Sequence, residues 1–335
     1  MPDFIPRPGA LNLITDVPGI SVGNAADDAA QSGVTVLRCD SSCIAAVDVR
    51  GGAPGTRETE VLSLENLVGH VDALALTGGS VFGLAAADGV VSALSEAGIG
   101  LRLNGKGPAV PIVPAAVLYD LANGGDKSWG ETPPYRALGV QALHAAKPRF
   151  ELGSVGAGRG AMAGAVKGGL GSASLMLDDD VTVGALVAAN PVGSVFANDG
   201  EAFLAWPYEL NGEFGDKPPP AKREPAEPFP DKSRLAPRLN AGANTTLAIV
   251  ATNARLTNSE AKRVAIMAQD GIARAVRPAH TAFDGDVVFA VSTSMNELPE
   301  DPALRHGLVA RIGAAASDCL SRAIARAVYE ASRRN

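Results

Sequence analysis

The chain has 335 residues, of which 46% are hydrophobic and 19% charged, so it can bury a large core and is neither collagen-like nor disordered. Its net charge of −7, with no Lys/Arg run before Arg333-Arg334, argues against a nucleic-acid partner. The amino terminus lacks a basic and apolar signal segment, and no stretch has the roughly 18 apolar residues of a membrane span. We therefore expect a soluble, cytoplasmic globular protein without a membrane partner.

The predicted elements of the first half alternate short strands with helices rich in small residues. Strands are predicted at 34–37, 44–49 and 73–76, and the last leads into a helix over 81–97. Further strands are predicted at 110–113 and 181–189, on either side of a glycine-rich stretch. This alternation is typical of a layered α/β protein.

The character of the sequence changes over residues 209–242, which are rich in proline and charge and lack apolar periodicity. We interpret them as a mobile linker. Asn244-Thr245-Thr246 and a β-prone run at 247–252 follow directly.

The remaining elements are a helix, a strand and a second helix. Thr257 and Glu260 have the spacing of a capping box and predict the start of a helix that continues over 261–276. A strand at 287–292 and a long helix over roughly 302–332 complete the chain.

The three cysteines, Cys39, Cys43 and Cys319, cannot all pair within one chain. Cys39 and Cys43 have neither the spacing nor the second Cys/His pair of a zinc site. Buried or half-buried thiols are the prediction, and neither a metal nor a cofactor is implied.

The step from a linker through Asn244-Thr245 into a strand suggests a cleavage site. A cut there would leave a threonine whose hydroxyl lies beside a free α-amine, with a pKa near 8. That amine can act as the base for its own hydroxyl. Asn and Thr are also ordinary turn and strand-start residues, so the local pattern leaves both interpretations open.

Longer segments carry a resemblance to a known family. They are 18–23, 49–59, 76–84, 156–174, 244–257 and 280–290, which include Arg50-Gly51-Gly52-Ala53-Pro54-Gly55, Leu76-Thr77-Gly78-Gly79-Ser80 and Asp284-Gly285-Asp286. Together they resemble the DmpA-like L-aminopeptidases/D-esterases, and within these the nylon-oligomer hydrolases most. The order and number of the segments make the resemblance specific across nearly the whole chain.

The resemblance implies one αββα sandwich domain over 1–335, of the N-terminal nucleophile type shared with ornithine acetyltransferases. It implies self-cleavage into an α-chain of 1–244 and a β-chain of 245–335, and assembly into a homotetramer. The implied activity is hydrolysis of a small peptide or an ω-amino-acid oligomer through an acyl-Thr245 intermediate.

Site roles are implied in the same way. Thr245 matches the nucleophile and Thr246 its structural neighbour, a choice that the sequence alone does not make. Asn190 matches a donor that polarises the scissile carbonyl, Asp284 and Asp286 a pair behind the nucleophile, and Lys167 an active-site lysine. Tyr119 matches a pocket tyrosine, with Val117 and the loop of Gly79 and Ser80 bordering the same pocket.

Val117 departs from the family pattern, because aminopeptidase members carry a glutamate there to bind the substrate's ammonium group. Hydrolysis of internal amides therefore becomes more plausible. An aminopeptidase/D-esterase of the same family and an ornithine acetyltransferase-like acyltransferase remain alternatives.

Two other motifs are weaker. Gly156-Ala-Gly158-Arg-Gly-Ala161 matches a dinucleotide-binding fingerprint but lacks a strand–turn–helix context, which makes nucleotide binding a third choice. The surroundings of Ser80 lack the closing glycine of a nucleophile elbow, and the four histidines show no motif of a catalytic base.

Overall fold

A computed structural model describes residues 6–177, 180–197, 200–220, 227–230, 232–234 and 244–333. Its strands are β1 (Ile20–Asp27), β2 (Ser32–Val49), β3 (Gly55–Arg57), β4 (His70–Thr77), β5 (Ala115–Val117), β6 (Met162–Ala163), β7 (Val166–Lys167), β8 (Gly169–Met176), β9 (Thr182–Asn190), β10 (Thr245–Ala254) and β11 (Val287–Asn296). Its helices are α1 (Ala85–Glu96), α2 (Tyr135–His144), α3 (Asn258–Ala275) and α4 (Pro302–Arg333).

The long strand β2 joins two sheets. Its first half pairs with β1 and β4, beyond which lie β5 and β3. Its second half pairs with β11, which is followed by β10, β9 and β8. Strand β10 lies between antiparallel β9 and parallel β11, at the centre of its sheet.

Three apolar clusters show how the layers stack. Leu247 and Ile249 of β10 face a core between the two sheets, together with Leu74 and Leu76 of β4. The alternate residues of β10 face α3 and α4, and those of β4 face α1 and α2. Both faces of each sheet are thus buried. The predicted αββα sandwich is confirmed.

The structure contains the predicted capping box, strands and buried cysteines. The capping box is present, since Thr257 Oγ1 accepts the N–H of Glu260 and Glu260 Oε2 accepts that of Thr257. The predicted strands at 34–37 and 44–49 are two parts of the single strand β2. All three cysteines are free and buried, as expected.

The predicted strand at 110–113 is wrong. The paired residues are Ala115–Val117, and Val110 makes only an isolated bridge with Leu101. Pro111 and Pro114 interrupt the run, and proline has no N–H to donate to a ladder. In the described part of the chain, no helix is long and apolar enough to cross a membrane.

The linker predicted at 209–242 is described only in part, because 221–226, 231 and 235–243 lie outside the described residues. Its described residues contact the body of the protein. Phe214 is in the core beside α4, Glu213 pairs with the buried Arg322, and Arg234 reaches the end of β9. Mobility of the segment stays a prediction.

Candidate active site

The sheet register places two of the predicted residues side by side. Thr245, the first residue of β10, lies directly opposite Asn190, the last residue of β9. Directly opposed residues have Cβ atoms about 4.5–5.5 Å apart. Thr245 is 2% exposed and Asn190 is fully buried. A polar pair therefore meets at the end of two apolar strands.

The carbonyl group before Thr245 is held by two donors. Thr245 Oγ1 lies 2.5 Å from Asn244 O, and the backbone N–H of Gly285 donates to the same oxygen at 2.9 Å. A Cβ at position 285 would lie 2.7 Å from Thr245 Oγ1, so only glycine fits beside the hydroxyl. Gly285 was not among the residues predicted from sequence, although its place between Asp284 and Asp286 was a signal.

The two aspartates flank this glycine and are both 1% exposed. Asp284 accepts the N–H groups of Val192 and Thr281 at 3.1 and 2.9 Å, and the Thr281 hydroxyl at 2.7 Å. Asp286 Oδ1 accepts the N–H of Thr246 at 2.7 Å. The pair thus ties the Asn190-Pro191 turn and the start of β10 to one short segment.

His280 extends the network. Its Nδ1 lies 2.8 Å from Asp286 Oδ2, which also accepts the His280 N–H at 3.1 Å. This histidine had no role predicted from sequence, because its partner is six positions away in a turn that only the fold defines. His280 therefore belongs to the surroundings of Thr245.

The electrostatics of the pair are unequal. Burial, and secondarily the charge of Asp286, raises the pKa of Asp284 above the ordinary carboxyl range. A positive charge nearby would relieve this cost. The guanidinium of Arg234 carries such a charge and interacts with Asp284.

A cavity of about 360 Å³ opens onto Thr245. Its lining consists of short apolar or hydroxyl-bearing residues from three loops and the start of β10: Ala53, Pro54, Gly55, Thr56, Ser80, Val81, Leu84, Val117, Tyr119 and Thr245. None of these ten lining residues carries a charge. Ser80, Val117 and Tyr119, all predicted for the substrate pocket, lie in it.

Gly79 holds the loop that supplies Ser80. Its φ of +81° is in the left-handed region, and its N–H donates to the buried Asp120 at 2.8 Å. A Cβ there would lie 2.0 Å from Tyr135 Cζ. Gly79 thus shapes the pocket wall from behind.

Lys167 and Thr246 do not line the cavity, and neither do Gly79, Asn190, Asp284 and Asp286. Lys167 is exposed on β7, in a hairpin whose other strand begins at Met162; the Met162 N–H donates to Asn190 Oδ1 at 2.9 Å. Thr246 is fully buried, and its hydroxyl has no hydrogen-bond partner among the described residues. Of the two threonines, Thr245 is the one that faces the cavity.

The glycine-rich motif at 156–161 forms no nucleotide cradle. Gly156–Gly158 is a short 3-10 turn that leads to the β6–β7 hairpin rather than to a helix. The close approach of Gly158 to the backbone of Leu170 shows that this glycine serves packing.

Comparisons with known proteins identify the family of the chain. The model of peptidase family S58 matches residues 12–335. An uncharacterized aminopeptidase of Mycobacterium bovis is 43% identical over 96% of this chain and 94% of its own length. A 6-aminohexanoate-oligomer endohydrolase of Kocuria sp. is 32% identical over 97% of this chain and 89% of its own length.

Solved structures show the same fold. A β-aminopeptidase of Burkholderia sp. superposes with a TM-score of 0.69 at 24% identity, over 97% of this chain and 88% of that one. The L-aminopeptidase D-Ala-esterase/amidase of Ochrobactrum anthropi, described as a variant of the Ntn hydrolase fold, gives 0.66 at 21% identity, over 98% and 88%. The predicted family is confirmed: the chain belongs to peptidase family S58, is a hydrolase that acts on amide bonds, and has the fold of the Ntn hydrolases.

Proposed function

We propose that the chain cuts itself between Asn244 and Thr245, and that Thr245 then hydrolyses amide substrates through an acyl intermediate. The observation that carries this is the hydroxyl of Thr245, 2.5 Å from the Asn244 carbonyl oxygen, beside an uncharged cavity. The hydroxyl and the carbonyl of one buried peptide unit are thus already in contact.

Self-cleavage begins with attack of Thr245 Oγ1 on the Asn244 carbonyl carbon. The Gly285 N–H is aimed at the oxygen on which negative charge develops, as an oxyanion donor must be. Collapse of the intermediate breaks the bond between the Asn244 carbonyl carbon and the Thr245 nitrogen, and the proton lost by the hydroxyl ends on that nitrogen. The acyl group is then an ester on Thr245 Oγ1, which water hydrolyses. The products are the carboxylate of Asn244 and the free α-amine of Thr245.

In the cut enzyme the α-amine removes the proton of its own hydroxyl, which attacks the substrate carbonyl. The side-chain amide of Asn190, opposite Thr245 in the ladder, donates to the resulting oxyanion. The amine returns its proton to the leaving amine, and water then releases the acyl group. Asp284 and Asp286 stabilise the ammonium form, and Lys167 stays the predicted cationic partner of the site.

The cavity favours substrates without a charge near the scissile bond. Burying an ammonium group beside Val117 and Leu84 would leave it without a carboxylate among the lining residues. Internal amides of a small peptide or an ω-amino-acid oligomer meet this requirement. The relative named as an endohydrolase supports the same substrate class.

Exo-cleavage is the second candidate, because relatives at 43% identity are named aminopeptidases. Rates on 6-aminohexanoate oligomers, blocked peptides and peptides with a free amino terminus separate the two. An acyltransferase would instead show little turnover until an acceptor amine is added.

A homotetramer in the cytoplasm is also proposed. The sedimentation mass tests the oligomeric state, and cell fractionation tests the location.

Gel electrophoresis under denaturing conditions tests the cleavage. We expect fragments of 244 and 91 residues (335 − 244 = 91), the smaller beginning Thr-Thr-Leu-Ala-Ile. Thr245→Ser keeps the hydroxyl and should still cut. A fully active uncut chain, or a cut elsewhere, would overturn the proposal.

A further inference from the structure

One arginine of the predicted linker enters the turn that carries Asn190. Arg234 Nη2 lies 2.8 Å from Met162 O and 3.2 Å from each of Asn190 O, Asn190 Oδ1 and Pro191 O. Its backbone N–H donates to Val192 O at 2.8 Å. The backbone and the side chain of Arg234 therefore both bind the turn that carries Asn190.

These contacts fix the orientation of the Asn190 amide. The two groups that face Oδ1 are the Met162 N–H and the Arg234 guanidinium, and both can only donate. On the other side, Asn190 Nδ2 donates to Tyr119 O at 3.3 Å, next to the pocket. The amide therefore presents its NH₂ group, which has a second hydrogen, toward Tyr119, a residue that lines the same cavity as Thr245.

The charge of Arg234 acts in the same place. All four oxygens within reach of Nη2 are formally neutral, and Nε has no hydrogen-bond partner among the described residues. Burial lowers the pKa of this guanidinium to about 10, against the opposing effect of the Asp284 charge, and the group remains charged at neutral pH. A buried cation beside the oxyanion donor adds to the stabilisation of negative charge at Thr245.

We infer that Arg234 is a positioning residue for amide hydrolysis, which keeps Asn190 turned as a hydrogen-bond donor to the oxyanion. The inference rests on the proposed function. It also implies that the segment before the cleavage site remains part of the active enzyme after the cut.

The test measures kcat and KM of cut enzyme, with active sites titrated, for Arg234→Ala, Asn190→Ala and the double variant. We expect Arg234→Ala to lower kcat about 10- to 100-fold and to change KM less than about twofold, since a lost oxyanion donor costs about 10²- to 10³-fold. The same substitution should cost little when it is added to Asn190→Ala, because the two residues act through one group. Guanidinium ion should partly restore Arg234→Ala and leave the double variant unchanged.

Arg326→Ala is the matched control. Arg326, on α4, is also a largely buried arginine that donates to backbone carbonyls, those of Asn12 and Ser172. Its Nε has no hydrogen bond among the described residues and lies 3.7 Å from Glu213 Oε2. Arg326→Ala should lower the thermal midpoint and leave kcat unchanged. If Arg234→Ala yields no cut enzyme, Arg234→Lys takes its place. A smaller loss of kcat is expected, because lysine keeps the positive charge and lacks only the planar, forked donors of arginine.

The inference would be overturned if Arg234→Ala lowered kcat equally in the wild-type enzyme and in the Asn190→Ala variant, or if it lowered stability alone. Failure of the proposed function looks different. It would appear as hydrolysis that survives removal of the Thr245 hydroxyl, whatever residue occupies position 234.

Discussion

Two cavities of similar size differ in what lies behind them. The cavity at Thr245 measures about 360 Å³ and has no charged lining residue. The second, here called the β1 cavity, measures about 310 Å³ and is lined by β1, the segment after α2 and the turn at 154–159. It carries four charged residues: Asp28, Lys147, Glu151 and Arg159. Volume alone would not separate the two.

The difference lies in burial and register. Behind the Thr245 cavity, Asn190, Asp284 and Asp286 are at most 1% exposed. Asn190 lies opposite Thr245 in the β-ladder, and Asp286 accepts the N–H of Thr246. In the β1 cavity, Asp28 is 85% exposed on its side chain and pairs with Arg159 in water. Exposed ion pairs add little to the stability of the fold. Burying polar and charged groups is unfavourable, so a cluster of them in a cleft indicates a functional site.

The largest expected effect comes from two adjacent threonines. Thr245→Val removes the attacking hydroxyl and should abolish both cleavage and hydrolysis, a loss on the order of 10⁶-fold. Thr246→Val has the same shape change but removes a hydroxyl without a partner among the described residues, so it should still cut and turn over. Denaturing gels measure cleavage, and initial rates measure hydrolysis, in both variants. Activity in Thr245→Val would contradict the role of Thr245 as the nucleophile.

Asn190→Ala should lower kcat by about 10²- to 10³-fold, because one oxyanion donor is lost. Asn24→Ala is its counterpart in the β1 cavity, where Asn24 Nδ2 donates to Glu151 O. It should leave kcat unchanged. Similar losses in both variants would mean that the β1 cavity also serves the reaction.

The pH dependence separates activity from stability. Activity of the cut enzyme needs the Asp284 carboxylate, so it should fall as pH drops through the pKa of Asp284. Burial raises this pKa above the ordinary carboxyl range, and the Thr245 ammonium group offsets part of that rise. The folded state holds this proton more tightly than the unfolded state, so Asp284 adds stability as pH falls through the same range.

The measurement is the pH profile of kcat, together with the free energy of unfolding of wild type and Asp284→Asn. The Asn variant should lack the stability increment that wild type gains on acidification. If activity and the stability increment of the wild type changed in the same direction on acidification, the assignment would be contradicted.

Val117→Glu tests the uncharged lining. A carboxylate at position 117 should raise the rate on substrates with a free amino terminus relative to the rate on internal amides. A difference of about 1.4 kcal/mol in transition-state binding would change this ratio about tenfold. Val117→Gln has the same size without the charge and should not change that ratio. Equal ratios in the two variants would show that charge at position 117 does not set specificity.

The smallest effect is expected in the β1 cavity itself. Lys147→Met and Arg159→Ala should leave cleavage and kcat within about twofold of wild type, because surface ion pairs contribute at most about 1 kcal/mol. A large loss in either would show that this cavity is coupled to the Thr245 site.

Local sequence determined the elements whose signals are complete within a few residues. The capping box at Thr257, the β-prone run of β10 and the long helix α4 all follow from spacing and propensity. The resemblance added the layered fold and the family. The strand predicted at 110–113 does not form, because Pro111 and Pro114 interrupt the apolar run and have no N–H to donate.

The tertiary structure alone decided which polar groups meet. Asn190 and Thr245 are 55 positions apart in sequence (245 − 190 = 55), and only the β9–β10 register makes them neighbours. His280 and Arg234 have no local pattern that points to Thr245. His280 meets Asp286 only through the conformation of the turn between them, and Arg234 meets Asn190 at the end of β9. Residue type determines what a group can donate or accept, but long-range strand pairing determines to which atom it does so.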